Sequence, residues 1–285
     1  MRSATQGEKA ALVQELRKGG HRLNDLLDAI GLSRSTYYYE LNRTDKVKER
    51  NAELSSEIVA IFNENRKRYG VRRVHHELLN RGFRVNHKRV QRIMNQLALC
   101  GKRPKEKYHS YKGDAGKVAD NMINLDFSTE KPLQKWTTDV SQFNLSWGKC
   151  YISPILDMNT NEIISYNLST SPNMEQIKDM LHKAFERFSS VQGLVMHSDQ
   201  GWQYQHAFYR NELQKHGMIQ SMSRKGNCYD NCIMETFFGR LKNEMFYGFE
   251  RDYPSFESFS KAIAEYIDYY NNSRIQAKTK WMPPS

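Results

Sequence analysis

The sequence predicts an α/β fold, with a mixed five-stranded sheet and covering helices in its second half and all-α helix-turn-helix regions before it. Three observations lead to this prediction. Apolar residues recur at helical spacing up to residue 99, strand-like runs begin at residue 134, and strands then alternate with helices. We assign residues 1–48 to a helix-turn-helix domain, 49–100 to a second helix-turn-helix-like domain, 101–130 to a basic linker and 131–285 to the α/β domain.

The positive charge of the chain lies in its first 120 residues. These carry 26 Lys and Arg against 14 Asp and Glu, whereas the remaining residues carry 17 against 18. Such an excess indicates either a polyanionic partner, such as nucleic acid, or a solubilising basic surface. No apolar run is long enough for a membrane span or a signal peptide. The 4 cysteines are scattered, so we expect a cytoplasmic protein in a reducing compartment.

Two predicted helices and a capped third occupy the first 48 residues. Residues 8–18 and 23–30 carry apolar residues at helical spacing, and Gly31 ends the second helix. Ser33 is the expected N-cap of a short third helix over residues 34–41. This layout is typical of a helix-turn-helix that enters the major groove, although a plain three-helix packing unit has the same pattern. The predicted DNA contacts lie at the start of the third helix: Ser33, Arg34, Ser35 and Tyr37.

A similar arrangement recurs between residues 49 and 100. Helices are predicted around residues 58–62, over 71–80, and over 87–99 behind an Asn86 cap. The last helix is expected to turn these apolar side chains inward: Val90, Ile93, Met94 and Leu97. Basic side chains then remain on its outer face, where they suit phosphates better than they suit the helix dipole. The predicted DNA contacts here are His87, Lys88, Arg89 and Arg92.

The pattern changes to strands and helices from residue 134 onward. Strands are predicted over residues 136–145, 150–157, 162–170, 193–197 and 218–222. Helices are predicted over residues 172–188, 206–216, 232–246 and 256–270. Three consecutive strands followed by alternating helices and strands give a mixed sheet with helices packed on it.

Three acidic residues occupy chemically useful positions in this layout. Asp139 lies within the first predicted strand, Asp199 just past the end of the fourth, and Glu235 on the helix predicted over residues 232–246. An acidic residue inside a strand is unusual, because burial disfavours its charge. If the three carboxylates converge, a divalent cation would remove their repulsion, and two Mg²⁺ or Mn²⁺ ions would suit phosphoryl transfer.

Two further patterns surround these acids, and each has an alternative explanation. Asn231 and Lys242 fall on the same helical stripe as Glu235, so we expect both to contact DNA; a solvated Glu/Lys face is the alternative. His197 is expected either to touch a phosphate or to be a hydrogen-bonded structural residue. Cys228 and Cys232 lack a second Cys/His pair at zinc-finger spacing, which disfavours a zinc site.

Long motifs in the chain resemble the transposases of bacterial insertion sequences of the IS-three family, of the OrfB type. In the α/β half these motifs are WTTDVSQF, HSDQGWQY, SMSRKGNCYDNCIMETFFGRLKNE and YIDYYNNSRIQ. In the helical half they are GLSRSTYYYEL and KRYGVRRVHHELLNRGFRVNHKRVQRIM. The resemblance implies an RNase H-like integrase catalytic core, with Asp139, Asp199 and Glu235 as the metal-binding catalytic triad. It also implies DNA contacts from Lys242 and from the loop before the catalytic helix, at Arg224, Lys225 and Asn227.

The resemblance further implies an activity and its partners. The activity is metal-dependent cleavage and strand transfer at terminal inverted repeats, in copy-out, paste-in transposition. The implied partners are DNA, an OrfA product or OrfA–OrfB fusion, and at least a second copy of the chain, in a nucleoid-associated bacterial setting without a membrane. The competing classes are a DNA-binding protein that cuts nothing, and a resolvase or RNase of the same fold.

Overall fold

The computed structural model describes residues 4–101, 118–224 and 228–285, and within these ranges the side chains of residues 44–50 and 228 are not described. The described residues of 1–67 and 78–99 form one compact unit, and those of 68–77 and 100–285 form a second. The four domain ranges given above remain a prediction. Residues 102–117 of the predicted linker, and the predicted DNA contacts Lys225 and Asn227, lie outside the described residues.

The first two helices form where apolar spacing predicted them. Helix α1 (Gln6–Lys18) begins with a capping box, in which the Thr5 hydroxyl accepts the Glu8 N–H at 3.3 Å and the Glu8 carboxylate accepts the Thr5 N–H at 2.7 Å. Helix α2 (Leu23–Ile30) ends at Gly31, whose φ of 65° is in the left-handed region that glycine adopts without steric penalty. Local chemistry therefore sets both of these helix ends.

Helix α3 (Arg34–Glu64) starts where predicted but is one helix of 31 residues, not two. The Ser33 hydroxyl accepts the Thr36 N–H at 3.1 Å, which confirms the predicted N-cap. The helix continues past residue 41 because residues 42–57 contain neither glycine nor proline and are rich in Glu, Lys and Arg, which are good helix formers. It thus crosses the predicted boundary at residue 48.

Helices α4 (Val71–Asn80) and α5 (His87–Gln96) also follow the prediction. The Asn86 side chain accepts a backbone N–H of the first turn of α5 at 2.9 Å, which confirms the predicted cap. Helix α5 ends earlier than predicted, because Ala98 adopts a φ of 52°. Leu97 is consequently 41% exposed rather than buried. The inward residues are Val90, Ile93 and Met94.

Within the described residues, the second unit contains a six-stranded mixed sheet. Its strands are β1 (Lys135–Thr138), β2 (Ser141–Leu145), β3 (Gly148–Asp157), β4 (Ile163–Ser169), β5 (Val195–Ser198) and β6 (Ile219–Met222). Strand β3 pairs antiparallel with β4 on one side and with β1 and β2, end to end, on the other. Strands β1, β5 and β6 are parallel. The predicted mixed α/β fold is confirmed, with its first predicted strand divided in two.

The division between β1 and β2 falls at Asp139. Thr138 pairs with Ile155 and Ser141 with Ile152, so the register continues unbroken across the two residues between the strands. The residue opposite Asp139 in this register is Pro154, which has no N–H to donate to a ladder. The Asp139 carboxylate instead accepts the N–H of the next residue at 2.7 Å. The sequence predicted Asp139 within a strand, but the residue occupies a gap in the ladder between two strands.

Helices cover both faces of the sheet. They are α6 (Met174–Arg187), α7 (Trp202–Gln205), α8 (Ala207–Lys215), α9 (Cys232–Leu241) and α10 (Phe256–Asn272). Ile152 faces a core formed with α9 and α10, whereas Ile155 faces a core formed with α6 and α8. A π-helical turn (Lys242–Phe246) extends α9. None of the helices in the described ranges combines the length and the hydropathy that a transmembrane segment requires.

Candidate active site

Asp139 and Asp199 follow two neighbouring parallel strands at the same edge of the sheet. Thr137 of β1 pairs with His197 of β5, and each aspartate lies two residues beyond this pair. Residues two apart along a strand point to the same face, and adjacent strands lie about 4.8 Å apart. The N–H of Gly201 donates to the Asp199 carboxylate at 2.9 Å, and a Cβ at Gly201 would lie only 2.9 Å from the same oxygen. A side chain at this position would therefore displace the Asp199 carboxylate.

Glu235 lies in the first turn of α9 and contributes a third carboxylate. Loss of hydration raises the pKa of Asp139 well above its usual value, and the charges of Asp199 and Glu235 raise it further. Loss of hydration also raises the pKa of Asp199 and the pKa of Glu235. Three acids from distant parts of the chain thus create one region of negative electrostatic potential.

The three carboxylates do not stand at ligand distances from a common point. Among the residues that the structure describes, no three Asp, Glu, His or Cys side chains are grouped to hold a metal ion. Two carboxylates 4 Å apart repel by about 4 kcal/mol at an effective dielectric constant of 20, which favours rotamers that hold them apart. The donor set fits Mg²⁺ or Mn²⁺, because all three side chains offer hard carboxylate oxygens.

Asn231, which the sequence assigns to DNA contact, faces the protein interior at the start of α9. Its Nδ2 donates to Oδ2 of Asp139 at 3.0 Å, and its Oδ1 accepts from the Thr137 hydroxyl at 3.3 Å. The residue is only 7% exposed. The structure therefore corrects the predicted role, because both ends of the amide have partners within the protein. Sequence reasoning missed Thr137, whose position two residues before Asp139 was the available signal.

A hydrogen-bonded network behind the aspartates accounts for His197 and Asp230. The His197 Nε2 donates to the Asp230 carbonyl at 3.0 Å, so its Nδ1 accepts from the Ser221 hydroxyl at 2.9 Å. Burial lowers the pKa of His197 to about 4, which keeps the ring neutral. Arg224, predicted to contact DNA, makes two guanidinium bonds to the Asp230 carboxylate at 2.9 and 3.1 Å. His197 is thus a structural histidine. Arg224 keeps 49% of its side chain exposed, and its contact with DNA stays a prediction.

Lys242, predicted to contact DNA, is 8% exposed at the start of the π-helical turn. Its Nζ lies 5.2 Å from the centroid of the Phe143 ring. Burial lowers the pKa of Lys242 to about 8, although the charge of Asp139 opposes this shift. The alternative of a solvated Glu/Lys face is therefore wrong for Lys242, and its contact with DNA stays a prediction.

The predicted DNA contacts of the first unit divide into exposed and enclosed residues. Tyr37 is 1% exposed in a core with Ala10, Val13, Leu27 and Leu32, so the structure corrects this prediction. Arg89 is half-buried and donates to the Asn51 side chain at 2.6 and 3.0 Å. The remaining predicted contacts are exposed: Ser33, Arg34, Ser35, His87, Lys88 and Arg92. Tyr38 and Tyr39, which were not predicted to contact DNA, are also exposed. Their positions one and two residues after the buried Tyr37 were the available signal for this exposure.

Two aromatic residues follow Asp199 with opposite exposures. Trp202, the first residue of α7, is 51% exposed. Tyr204 is fully buried, with its hydroxyl 3.5 Å from that of Thr138. Of these two residues, Trp202 is the one whose ring is exposed to solvent. Cys232 is free, and the side chain of Cys228 lies outside the described residues.

Family models match three stretches of the chain. One that is described as an HTH-like domain matches residues 48–107. Two that are described as integrase core domains match residues 129–228 and 235–284. These stretches contain the exposed basic residues of α5 and all three acids of the candidate site.

Several known proteins are similar over most of their length. InsK of insertion sequence element IS150 from Escherichia coli K12 is 43% identical over 96% of this chain and 95% of its own. The transposase of insertion sequence element IS904 from Lactococcus lactis is 31% identical over 81% of this chain and 91% of its own. The HTLV-2 integrase catalytic core domain in complex with magnesium is 13% identical, with a TM-score of 0.45 over 55% of this chain and 97% of its own.

Proposed function

Because this chain belongs to the IS-three family of insertion-sequence transposases, we propose that it is a metal-dependent polynucleotidyl transferase acting on the terminal inverted repeats of an insertion sequence. In the first step, hydrolysis of a phosphodiester frees a 3′-OH at the end of the element. In the second, this hydroxyl replaces the bridging 3′-oxygen of another phosphodiester. No covalent enzyme intermediate is required, and the outcome is copy-out, paste-in transposition.

The observation that carries this proposal is the electrostatic coupling of the three acids. The pKa of Asp139 is raised by loss of hydration and then by the charges of Asp199 and Glu235. A protein that only bound DNA would gain nothing from three mutually repelling carboxylates near a polyanion. Asp139, Asp199 and Glu235 would hold two Mg²⁺ or Mn²⁺ ions. When bound, such ions polarise phosphate oxygens and offset the charge that develops on them.

Exposed polar and basic residues of the first unit would bind DNA. The exposed Ser33, Arg34 and Ser35 begin a predicted recognition helix, and His87, Lys88 and Arg92 line the outer face of α5. Arg224, Lys225 and Asn227 remain proposed contacts in the loop before α9, and Lys242 remains a proposed contact beyond it. Because two ends of an element must meet, we also propose at least a dimer on DNA, and an OrfA product or OrfA–OrfB fusion as partner.

A strand-transfer assay with labelled terminal-repeat DNA tests this function. We expect joining by the wild-type protein in Mg²⁺ but not in EDTA. Glu235→Gln should keep DNA binding but lose joining by at least about 100-fold, because a ligand of the ions is lost.

The matched control is Glu257→Gln, which makes the same substitution at an exposed position of α10. This variant should join DNA like the wild type. Equal joining by the wild type and Glu235→Gln, or metal-independent joining, would refute the proposed triad.

A further inference from the structure

We propose that Asn231 is a positioning residue: its side chain fixes the Asp139 carboxylate and joins the start of α9 to strand β1. This proposal rests on the proposed function, because it takes Asp139 as one of the metal ligands. It replaces the DNA-contact role that the sequence suggested for Asn231.

The first step of the argument is the orientation of the Asn231 amide. As a metal ligand Asp139 is ionised and only accepts hydrogen bonds, so the group that faces its Oδ2 at 3.0 Å is then the amide nitrogen. The amide oxygen then faces the Thr137 hydroxyl, which donates to it at 3.3 Å. Thr137 is 1% exposed and Asn231 7% exposed, so both partners are held away from solvent. The two bonds leave one orientation of the amide.

The second step is the effect on Asp139. One of its oxygens accepts the N–H of Val140 at 2.7 Å, and the other accepts from Asn231. Each carboxylate oxygen has two acceptor sites, so one site on each remains for another ligand. Two donors on opposite oxygens thus fix the side-chain rotamer while leaving the carboxylate able to bind a cation. Such outer partners of a ligand orient it and tune its affinity.

The third step is the link to the other two acids. The carbonyl of the preceding residue, Asp230, accepts the Nε2–H of His197 in β5 at 3.0 Å. Consecutive residues at the start of α9 are therefore bonded to β1 and to β5, the strands that lead to Asp139 and Asp199. Glu235 follows Asn231 by four residues, about one helical turn. These bonds therefore fix the position of Glu235 relative to the two strands that position Asp139 and Asp199.

A measurement of Mn²⁺ binding by electron paramagnetic resonance, without DNA, tests the proposal. Asn231→Leu keeps the side-chain volume but removes both hydrogen bonds, and we expect Mn²⁺ affinity to fall by about 10- to 100-fold. Thr137→Val, which removes only the bond that orients the amide, should lower the affinity in the same direction by a smaller factor. DNA binding in EDTA should be unchanged in both variants.

The matched control is Asn271→Leu. Asn271 is also a hydrogen-bonded asparagine, with 2.9 Å bonds to the backbone of Ile163, and it lies on α10 rather than at the site. It should lower the melting temperature without changing Mn²⁺ affinity. If Asn231→Leu does not fold, Thr137→Val decides the question.

The proposal would be overturned if the Asn231 and Thr137 variants bound Mn²⁺ as tightly as the wild type. It would also be overturned if these variants bound DNA more weakly in EDTA and showed no change in Mn²⁺ affinity. A wild-type protein that binds Mn²⁺ but does not join DNA would overturn the proposed function and leave this inference standing. A wild-type protein that does not bind Mn²⁺ would overturn both.

Discussion

A buried ion pair at the end of the candidate catalytic helix allows the sharpest stability prediction. Arg274 has only 1% of its side chain exposed and donates to the two oxygens of Glu244 at 2.6 and 2.9 Å. The Tyr266 hydroxyl donates to the same carboxylate at 3.1 Å. Loss of hydration acts to raise the pKa of Glu244, but the charge and hydrogen bonds of Arg274 outweigh it and leave the pKa lowered. The carboxylate is therefore ionised and fully engaged.

The perturbation is Glu244→Gln, which leaves a buried guanidinium without its counter-charge. Arginine cannot lose its proton to escape this cost. Removing one partner of a buried pair costs about 3–5 kcal/mol, which corresponds to a fall in Tm of about 6–20 °C for a domain of this size. The retained amide oxygen of glutamine accepts one bond, so the lower half of that range is expected. Because the pKa of Glu244 is lowered, this stabilisation is present above pH 4.5 and is lost as the pH falls.

Thermal unfolding at pH 7, followed by circular dichroism, measures the effect. The control is Glu175→Gln, because the Glu175 side chain is 78% exposed and its contact with Lys178 is 3.3 Å long. Such an exposed pair contributes at most about 1 kcal/mol. The double variant Glu244→Met with Arg274→Met should recover part of the lost stability, since the fully buried guanidinium is removed, whereas Arg73, 3.4 Å from Glu244, still loses its partner. A Glu244→Gln protein that melts within 1–2 °C of the control would refute the reasoning.

Two further predictions concern His197 and Trp202. Burial lowers the pKa of His197 from 6.5 to about 4, so the unfolded state binds the proton more tightly, and the stability of the wild type should fall by about 3 kcal/mol between pH 6.5 and 4. Chemical denaturation at several pH values should show that the stability of His197→Gln depends less on pH. Equal pH dependence of the two proteins would contradict the assignment. Trp202, at 51% exposure, should stack on an unpaired base near Asp199, so Trp202→Ala should weaken binding of single-stranded terminal DNA by about 1–3 kcal/mol with little change in Tm. Ile219→Ala, at a 43% exposed apolar residue, is the control, and equal DNA affinity of both variants would exclude stacking.

The elements were predictable wherever local chemistry decides them. Ser33 and Asn86 cap helices as predicted, because a short polar side chain before an apolar helical stripe is a local signal. The gap at Asp139 was not predictable in this way. It depends on a pairing that places Pro154 opposite Asp139, and a strand register joins residues that are distant in sequence.

The partners of the polar side chains in the candidate site were also not predictable from the sequence. The three acids were singled out by their residue type and by their places within a strand, after a strand and on a helix, and their catalytic role stays a prediction. Asn231 was assigned to DNA from its helical stripe and Arg224 from the family resemblance, and neither signal shows which partner within the protein a polar side chain has. Only the structure shows that Asp139 and Asp230 take up these side chains.

Helix α9 is anchored at both of its ends by hydrogen bonds that do not involve Glu235, and these keep Glu235 within electrostatic range of Asp139. At its start, Asn231 is bonded to Thr137 of β1 and to Asp139. Beyond its end, Glu244 of the π-helical turn is bonded to Arg274, and its carbonyl accepts from Arg68 at 3.1 Å. Glu235 lies between these anchors. Repulsion among the carboxylates therefore opposes two sets of hydrogen bonds that do not involve Glu235, so loss of either set should let Glu235 move away from Asp139 before the fold itself is lost.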